Sequence, residues 1–212
     1  MVIWFSLSIY FVSIFDIATG IGYKVEIDDS DAYLLQINND PKKFQTSIVL
    51  ALIHNLCVIT LAILLLIAFS PDYIIIGIIW TIFRIGEGLI LIYNDKNYWS
   101  LLDMARKYSG YSGTEKISMS DLARNITKIK SSRFALAIIF WSIGTLAFSI
   151  ALVTYGGVVI FIGWLGIAAS ILTGFGNGIF YVKHKKVIFE TIGGLMALIF
   201  EVLIGVWLIF FA

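Results

Sequence analysis

Apolar runs alternate with short polar segments along the chain, and six of these runs are long enough to cross a bilayer. A helix needs about 20 apolar residues to cross the hydrocarbon core. The predicted spans cover approximately Val2–Ala18, Ser47–Phe69, Tyr73–Tyr93, Phe134–Val153, Val158–Val182 and Val187–Phe211. The pattern therefore predicts an all-α fold, a polytopic transmembrane bundle that forms one domain over residues 1–212.

Very short polar segments separate two pairs of spans. Ser70-Pro71-Asp72 lies between the second and third spans, and residues 154–157 lie between the fourth and fifth. Such short links predict tight hairpins of antiparallel helices. The first span has neither a basic flank nor a small-residue cleavage pattern, so we expect it to be retained rather than removed as a signal peptide.

The first connection contains a predicted short amphipathic helix. Acidic residues at 28–31 favour a helix start, and residues 38–41 favour its end. Tyr33, Leu34 and Ile37 share one face of this helix. The helix either touches lipid or a partner, or is a connector whose apolar side packs on the bundle, and we favour the connector.

The third connection is the longest polar stretch. Residues 108–113 are typical of a turn-rich loop, and Ser120-Asp121 predicts the start of a second amphipathic helix. Its apolar positions are Leu122, Ile126 and Ile129, and its basic positions are Arg124, Lys128 and Lys130. Two interpretations stay open, a helix lying on an anionic membrane surface and a cytoplasmic extension of the fourth span.

Composition supports the membrane assignment and excludes other classes. Hydrophobic residues make up 59% of the chain, charged residues 14%, and the mean hydropathy is +0.93, whereas soluble domains are roughly 45–50% apolar and about 25% charged. The single cysteine, Cys57, lies in an apolar run, which excludes a disulfide-rich module. A net charge of +1 without a dense basic arm argues against nucleic acid as a partner.

The distribution of basic residues predicts an orientation. Every Lys and Arg except Arg84 falls in the first, third or fifth connection, and the two hairpin turns carry none. The positive-inside rule places these three connections in the cytoplasm. We therefore expect a multi-pass protein of the cell membrane with both termini on the non-cytoplasmic side.

Polar residues within the predicted spans are the candidates for a site, because ionisable groups in hydrocarbon need a partner or a watery cavity. Arg84 and Glu87 are three residues apart and share a helix face. The ionisable candidates are Asp16, His54, Arg84, Glu87, Glu190 and Glu201, and the accompanying amides are Asn55, Asn94 and Asn177.

These residues allow three interpretations. The first is a structural ion-pair network that joins Arg84 to Glu87 and Glu201. The second is a polar cavity for a substrate, ion or proton. The third is a metal site made by His54, Glu87 and Asp16, which is the weakest because metal sites normally bring several histidines or a tight spacing motif. We predict no metal and no cofactor.

Small residues in the last two spans predict close helix packing. They are Gly174, Gly178, Gly193 and Gly194. The chain shows no recognisable arrangement of nucleophile, base and acid, which argues against an enzyme.

Two segments resemble a broad family of uncharacterised prokaryotic multi-pass membrane proteins, a domain of unknown function. Phe83-Arg84-Ile85-Gly86-Glu87 resembles that family's Arg-x-x-Glu segment in the third span. Phe200-Glu201 with Trp207-Leu208 resembles its closing helix. The resemblance implies a helical fold of six or seven spans and no known activity. It marks Arg84, Glu87, Glu201 and Trp207 as family-type positions.

Three functions follow as hypotheses. The first is an accessory or structural subunit of a membrane assembly, which fits the glycine-lined spans. The second is a small transporter or binding protein that uses the polar cluster. The third, which is weakest, is a membrane-embedded enzyme acting on lipid. The expected partners are the lipid bilayer and either other membrane subunits or further copies of this chain.

Overall fold

The computed structural model describes residues 30–156, 159–184 and 188–210, without the side chains of 68–73 and 209. The described chain is helical apart from its short connections. The helices are α1 (Ser30–Asn39), α2 (Pro41–Tyr108), α3 (Gly113–Tyr155), α4 (Ile160–Lys183) and α5 (Ile188–Phe210). The first predicted span, including Asp16, lies outside the described residues.

Helix α2 contains two spans that lie side by side, α2a (Pro41–Ile67) and α2b (Ile74–Tyr108). The hydroxyl of Thr81 donates to the carbonyl of Ala62 at 3.4 Å. Nearer the other end, Gly88 lies against the side chain of Ile59. Later residues of α2b thus contact earlier residues of α2a. The two spans therefore form the antiparallel hairpin that their short link predicts.

Within the described residues, five helical segments are long and apolar enough to cross a membrane. They are α2a, α2b, α3, α4 and α5. The multi-pass prediction is therefore confirmed at this level, while the first of the six predicted spans lies outside the described residues.

Two helices are much longer than a bilayer requires. The 35 residues of α2b and the 43 residues of α3 correspond to about 52 and about 64 Å at 1.5 Å per residue, against roughly 30 Å of hydrocarbon. Their basic ends therefore project beyond the apolar layer. The prediction that Ser120 starts a helix is wrong, because α3 begins at Gly113 and the Ser120 hydroxyl is used in a contact with Ser30 at 2.7 Å.

Helix α1 packs on these projecting ends. Asp40 separates it from α2, and its carboxylate accepts a hydrogen bond from the amide of Lys43 at 3.0 Å, a helix-capping contact that precedes Pro41. Tyr33, Leu34 and Ile37 are buried in one apolar cluster. That cluster is completed by α2 and α3 through Phe44, Ile48, Leu101, Leu102, Met104, Ala105, Tyr108 and Ala123.

A polar contact fixes the start of α1 to the same cluster. Hydrogen bonds from Ser120 and then from Tyr108 lower the pKa of the Asp31 carboxyl below its ordinary value of 3.8. The described contacts thus agree with the connector interpretation of this helix.

The face of α3 that packs here differs from the expected apolar face. Ala123 and Thr127 are buried, whereas Leu122 and Ile129 are about half exposed, and Ile126 is only partly buried. The segment continues directly into the fourth span, as an extension of it. Of the three predicted apolar positions, only Ile126 packs against the cluster, beside the small buried residue Ala123.

Helix α5 occupies a distinctive place among the membrane helices. It packs backbone to backbone on α4, and within the described residues none of its Cα atoms comes within 8 Å of α2 or α3. Long side chains bridge that gap, with Phe200, Ile204 and Leu208 of α5 in one core cluster with Leu61, Leu65, Trp80 and Leu152. The candidate site lies in this gap.

Candidate functional site

The centre of the site is Arg84 on α2b. Its guanidinium nitrogen Nη1 lies 2.8 Å from Oε2 of Glu87, one turn along the same helix. Its Nη2 lies 3.9 Å from Oε1 of Glu201 on α5. Arg84 is only 6% exposed and Glu87 only 5%, so both side chains are buried within the bundle.

A tryptophan from a third helix completes the arrangement. The indole Nε1–H of Trp141, on α3, donates to Oε1 of Glu201 at 2.8 Å. Glu201 is therefore held by a cation from α2b and by a neutral donor from α3. We call Arg84, Glu87, Trp141 and Glu201 the central cluster.

The central cluster is not balanced in charge. It contains one guanidinium and two carboxylates, which leaves an excess of one negative charge when all three groups are ionised. Excess charge in a low-dielectric interior is costly, and it is relieved by an opposite charge or by a proton. The cluster is therefore suited to accept one positive charge.

A cavity of about 50 Å³ adjoins the central cluster. Arg84, Glu201 and Thr145 supply the polar groups of its wall, and the rest is apolar: Leu61, Leu65, Trp80, Phe148, Phe200, Ile204, Gly205 and Leu208. A buried water requires two to four polar partners and a space above about 10–15 Å³. The polar end of the cavity meets both conditions. Pockets for drug-sized ligands are roughly 300–1,000 Å³, so this one fits water and protons better than an organic substrate.

His54 lies at the edge of the central cluster. It is on α2a, it is partly buried, and its imidazole interacts electrostatically with Glu201 and Arg84. The hypothesis of a metal site joins His54 to Glu87 and Asp16, and Asp16 lies outside the described residues. In the part of the chain that is described, no three His, Cys, Asp or Glu side chains are grouped as metal ligands.

The other polar candidates lie apart from the central cluster. Glu190 is in the first turn of α5, eleven residues before Glu201. Asn94 donates to the carbonyl of Lys130 at 3.1 Å and so joins α2b to α3. Asn177 donates to the carbonyl of Thr173 at 2.9 Å within α4. Asn55 is buried on α2a, and its backbone carbonyl oxygen would lie 3.3 Å from a Cβ placed on Gly88.

The four candidate packing glycines divide into two groups. A Cβ on Gly193 would lie 2.5 Å from the backbone nitrogen of Thr173, and one on Gly174 would lie 2.9 Å from Cβ of Ser142. At Gly178 and Gly194 a Cβ would meet nothing within 4 Å. Gly193 therefore permits the close approach of α4 and α5, while Gly178 and Gly194 serve no contact among the described residues.

Trp141, Thr145 and Gly176 are not among the site residues that the sequence predicts. Trp141 was counted only as an apolar residue, although a buried indole N–H usually needs an acceptor. The carboxylate of Glu201, near mid-span, was the available signal. Gly176, whose Cβ would lie 2.6 Å from the backbone nitrogen of Glu190, could have been identified only from the relative position of α4 and α5.

Comparisons with known proteins give one result. No curated protein and no solved structure matches the chain. One family model, described as a domain of unknown function, matches residues 7–212. The match covers nearly the whole chain and confirms the resemblance to an uncharacterised family. The protein belongs to the DUF4386 family.

Proposed function

We propose that this protein is a proton-binding membrane protein, a proton-coupled transporter or binding protein whose working site is the central cluster. The observation that supports it best is the buried excess carboxylate next to a water-sized cavity. Intramembrane ionisable residues commonly serve ion pathways and proton relays. A proton suits this site better than a metal cation, because the Arg84 guanidinium shares the cavity wall with Glu201 and would repel a second fixed cation.

Infrared spectroscopy of the full-length protein in lipid tests the proposal. A carboxyl group that holds a proton has a C=O stretch that a carboxylate lacks. We expect this band to persist near neutral pH in the wild type and to weaken in Glu87→Gln or Glu201→Gln. Glu190→Gln is the matched control, because it makes the same change on α5 outside the central cluster and should leave the band unchanged.

Proton movement can be measured in the same variants. In proteoliposomes on a solid-supported membrane, a pH jump should give a charge displacement in the wild type and in Glu190→Gln. Glu201→Gln should reduce it strongly. Equal signals in all three proteins, or no pH-dependent band in the wild type, would show that the central cluster is a structural ion-pair network only.

The accessory-subunit hypothesis remains the second candidate. The observation in its favour is that no described residue fills the small positions at Gly178 on α4 and Gly194 on α5, where another membrane helix could pack closely. A pull-down from the native membrane tests it. Recovery of a stoichiometric partner that is lost on Gly178→Leu or Gly194→Leu would favour this function, and isolation of the chain alone would oppose it.

We further propose a location in the cell membrane with six spans and both termini on the non-cytoplasmic side. The basic first, third and fifth connections support this orientation. Single cysteines placed near Arg124 should be protected from an impermeant thiol reagent added to intact cells. Labelling of that connection from outside would show that the proposed orientation is wrong.

A further inference from the structure

Two cations from different helices converge on one exposed tyrosine at the basic end of the bundle. Nζ of Lys96 lies 3.6 Å from the centre of the Tyr93 ring, and Cζ of Arg133 lies 4.6 Å from it. Lys96 and Tyr93 are on α2b, and Arg133 is on α3. We call these three residues the basic–aromatic site.

The position of the site matches the headgroup level of a bilayer. Tyr93 ends the third apolar run and Phe134 begins the fourth, so Arg133 stands at the same boundary between apolar and polar sequence. From Ile74 to Tyr93 the helix rises by about 30 Å, the thickness of the hydrocarbon core. Aromatic and basic side chains are concentrated at this level in membrane proteins.

The helices hold the two cations in place without neutralising them. Asn94 is 2% exposed and fixes α2b against α3 through the carbonyl of Lys130. Among the described residues, neither Lys96 nor Arg133 forms a salt bridge with a carboxylate. The site thus offers two positive charges that no carboxylate in the described part of the chain pairs with.

An apolar surface leads away from the site towards the membrane centre. Leu89 is one turn before Tyr93 and 56% exposed, Ile82 lies two turns further and is 60% exposed, and Phe134 on α3 is 48% exposed. An acyl chain could lie along these residues while a phosphate occupies the space beside Lys96 and Arg133. A free phosphate would contact only Lys96 and Arg133 and would gain nothing from the apolar surface.

We infer that the basic–aromatic site binds the phosphate headgroup of an anionic phospholipid. The ligand is recognised by two cations, which favour an anion, and by the lipid-facing surface below them, which favours an acyl chain. This site is independent of the proton proposed for the central cluster.

Native mass spectrometry of the full-length protein in detergent tests the inference. The probes are phosphatidylglycerol, phosphatidylcholine with the same acyl chains, and inorganic phosphate. We expect tight binding of one phosphatidylglycerol, weaker binding of phosphatidylcholine, and no displacement by millimolar phosphate. Because each cation near a membrane surface contributes about a fivefold gain in affinity, Lys96→Gln with Arg133→Gln should weaken phosphatidylglycerol binding roughly thirtyfold.

Two controls separate a site from general charge. Arg106→Gln with Lys128→Gln also removes one Arg and one Lys, from exposed positions elsewhere at the basic end, and should change binding less than about twofold. The exchange Lys96→Arg with Arg133→Lys keeps both charges and should preserve binding. If the double Gln variant is unstable, Lys96→Gln alone, at an exposed position, should still lose about fivefold.

Several results would overturn the inference. These are equal retention of phosphatidylcholine and phosphatidylglycerol, displacement of the lipid by phosphate alone, or equal losses in the Lys96/Arg133 and Arg106/Lys128 variants. Displacement by phosphate would show a simple anion site, and equal losses would show nonspecific attraction to the basic end.

Discussion

Replacing Arg84 with Leu should destabilise the bundle through the two carboxylates that it leaves behind. Glu87 is 5% exposed, and the guanidinium is its only ion-pair partner among the described residues. Breaking one side of a buried ion pair typically costs about 3–5 kcal/mol. For a chain of this size a loss of 1 kcal/mol lowers Tm by about 2–4 °C, so Arg84→Leu should lower Tm by roughly 6–20 °C.

The two carboxylates should respond differently to a second substitution. Glu201 keeps the hydrogen bond from Trp141 when Arg84 is absent, whereas Glu87 keeps no ion-pair partner within the described part of the chain. Adding Glu87→Leu to Arg84→Leu should therefore recover more of the loss than adding Glu201→Leu. Thermal melting in detergent, followed by tryptophan fluorescence, measures all three variants.

Acid provides an internal control for this experiment. Protonation of the stranded carboxylates would reduce the cost of Arg84→Leu, so its deficit in Tm should be smaller at pH 5 than at pH 8. An unchanged Tm in Arg84→Leu would refute the reasoning. So would a double variant with Glu87→Leu that melts no higher than the one with Glu201→Leu.

Three further predictions concern single contacts. Trp141→Phe keeps an aromatic ring but removes the N–H donor to Glu201 together with part of the buried indole, so melting should show a loss of at least about 1.5–3 kcal/mol, the range for hydrogen bonds to charged groups; an unchanged Tm would contradict the contact. Gly193→Ala should destabilise by about 1–3 kcal/mol through overpacking against Thr173, whereas Gly194→Ala, whose new methyl group would meet none of the described residues, should be neutral or slightly stabilising; equal effects would contradict the close approach of α4 and α5. The lowered pKa of Asp31 means that its ionised form stabilises the docking of α1. This stability is present above pH 3.8 and is lost as the pH falls through the lower pKa of the folded state. Hydrogen exchange in α1 should therefore rise in acid for the wild type, and it should already be raised at neutral pH for Asp31→Asn.

The number and type of elements could largely be predicted from apolar runs. Helix α2 shows how far this holds, because Ser70-Pro71-Asp72 correctly marked the place where the chain reverses. The ends of the helices were harder to predict from the sequence. The polar ends of α2b and α3 remain helical far beyond their apolar runs, since packing against α1 stabilises them there and hydropathy carries no information about that contact.

The members of the central cluster differ in how far they could be predicted from the sequence. The pair Arg84 and Glu87 follows from helix periodicity alone, because residues three apart share a face. The contact with Glu201 required a partner to be chosen from another helix, and it was suggested only by the scarcity of charges in the spans. Trp141 could not be chosen, since each of the six tryptophans is equally apolar in a hydropathy pattern.

The gap beside α5 connects the packing of the helices with the proposed proton. Gly176 and Gly193 let α5 approach α4 so closely that backbone atoms lie near the positions that Cβ atoms would take. The same helix stands away from α2 and α3, where Arg84 and Trp141 reach it through their side chains. Protonation of Glu201 would weaken its attraction to Arg84, and among the described residues α5 meets α2 and α3 through side chains only, without close backbone packing. We therefore expect α5 to be the element whose position responds to the proton, with its packing on α4 as the fixed side of the movement.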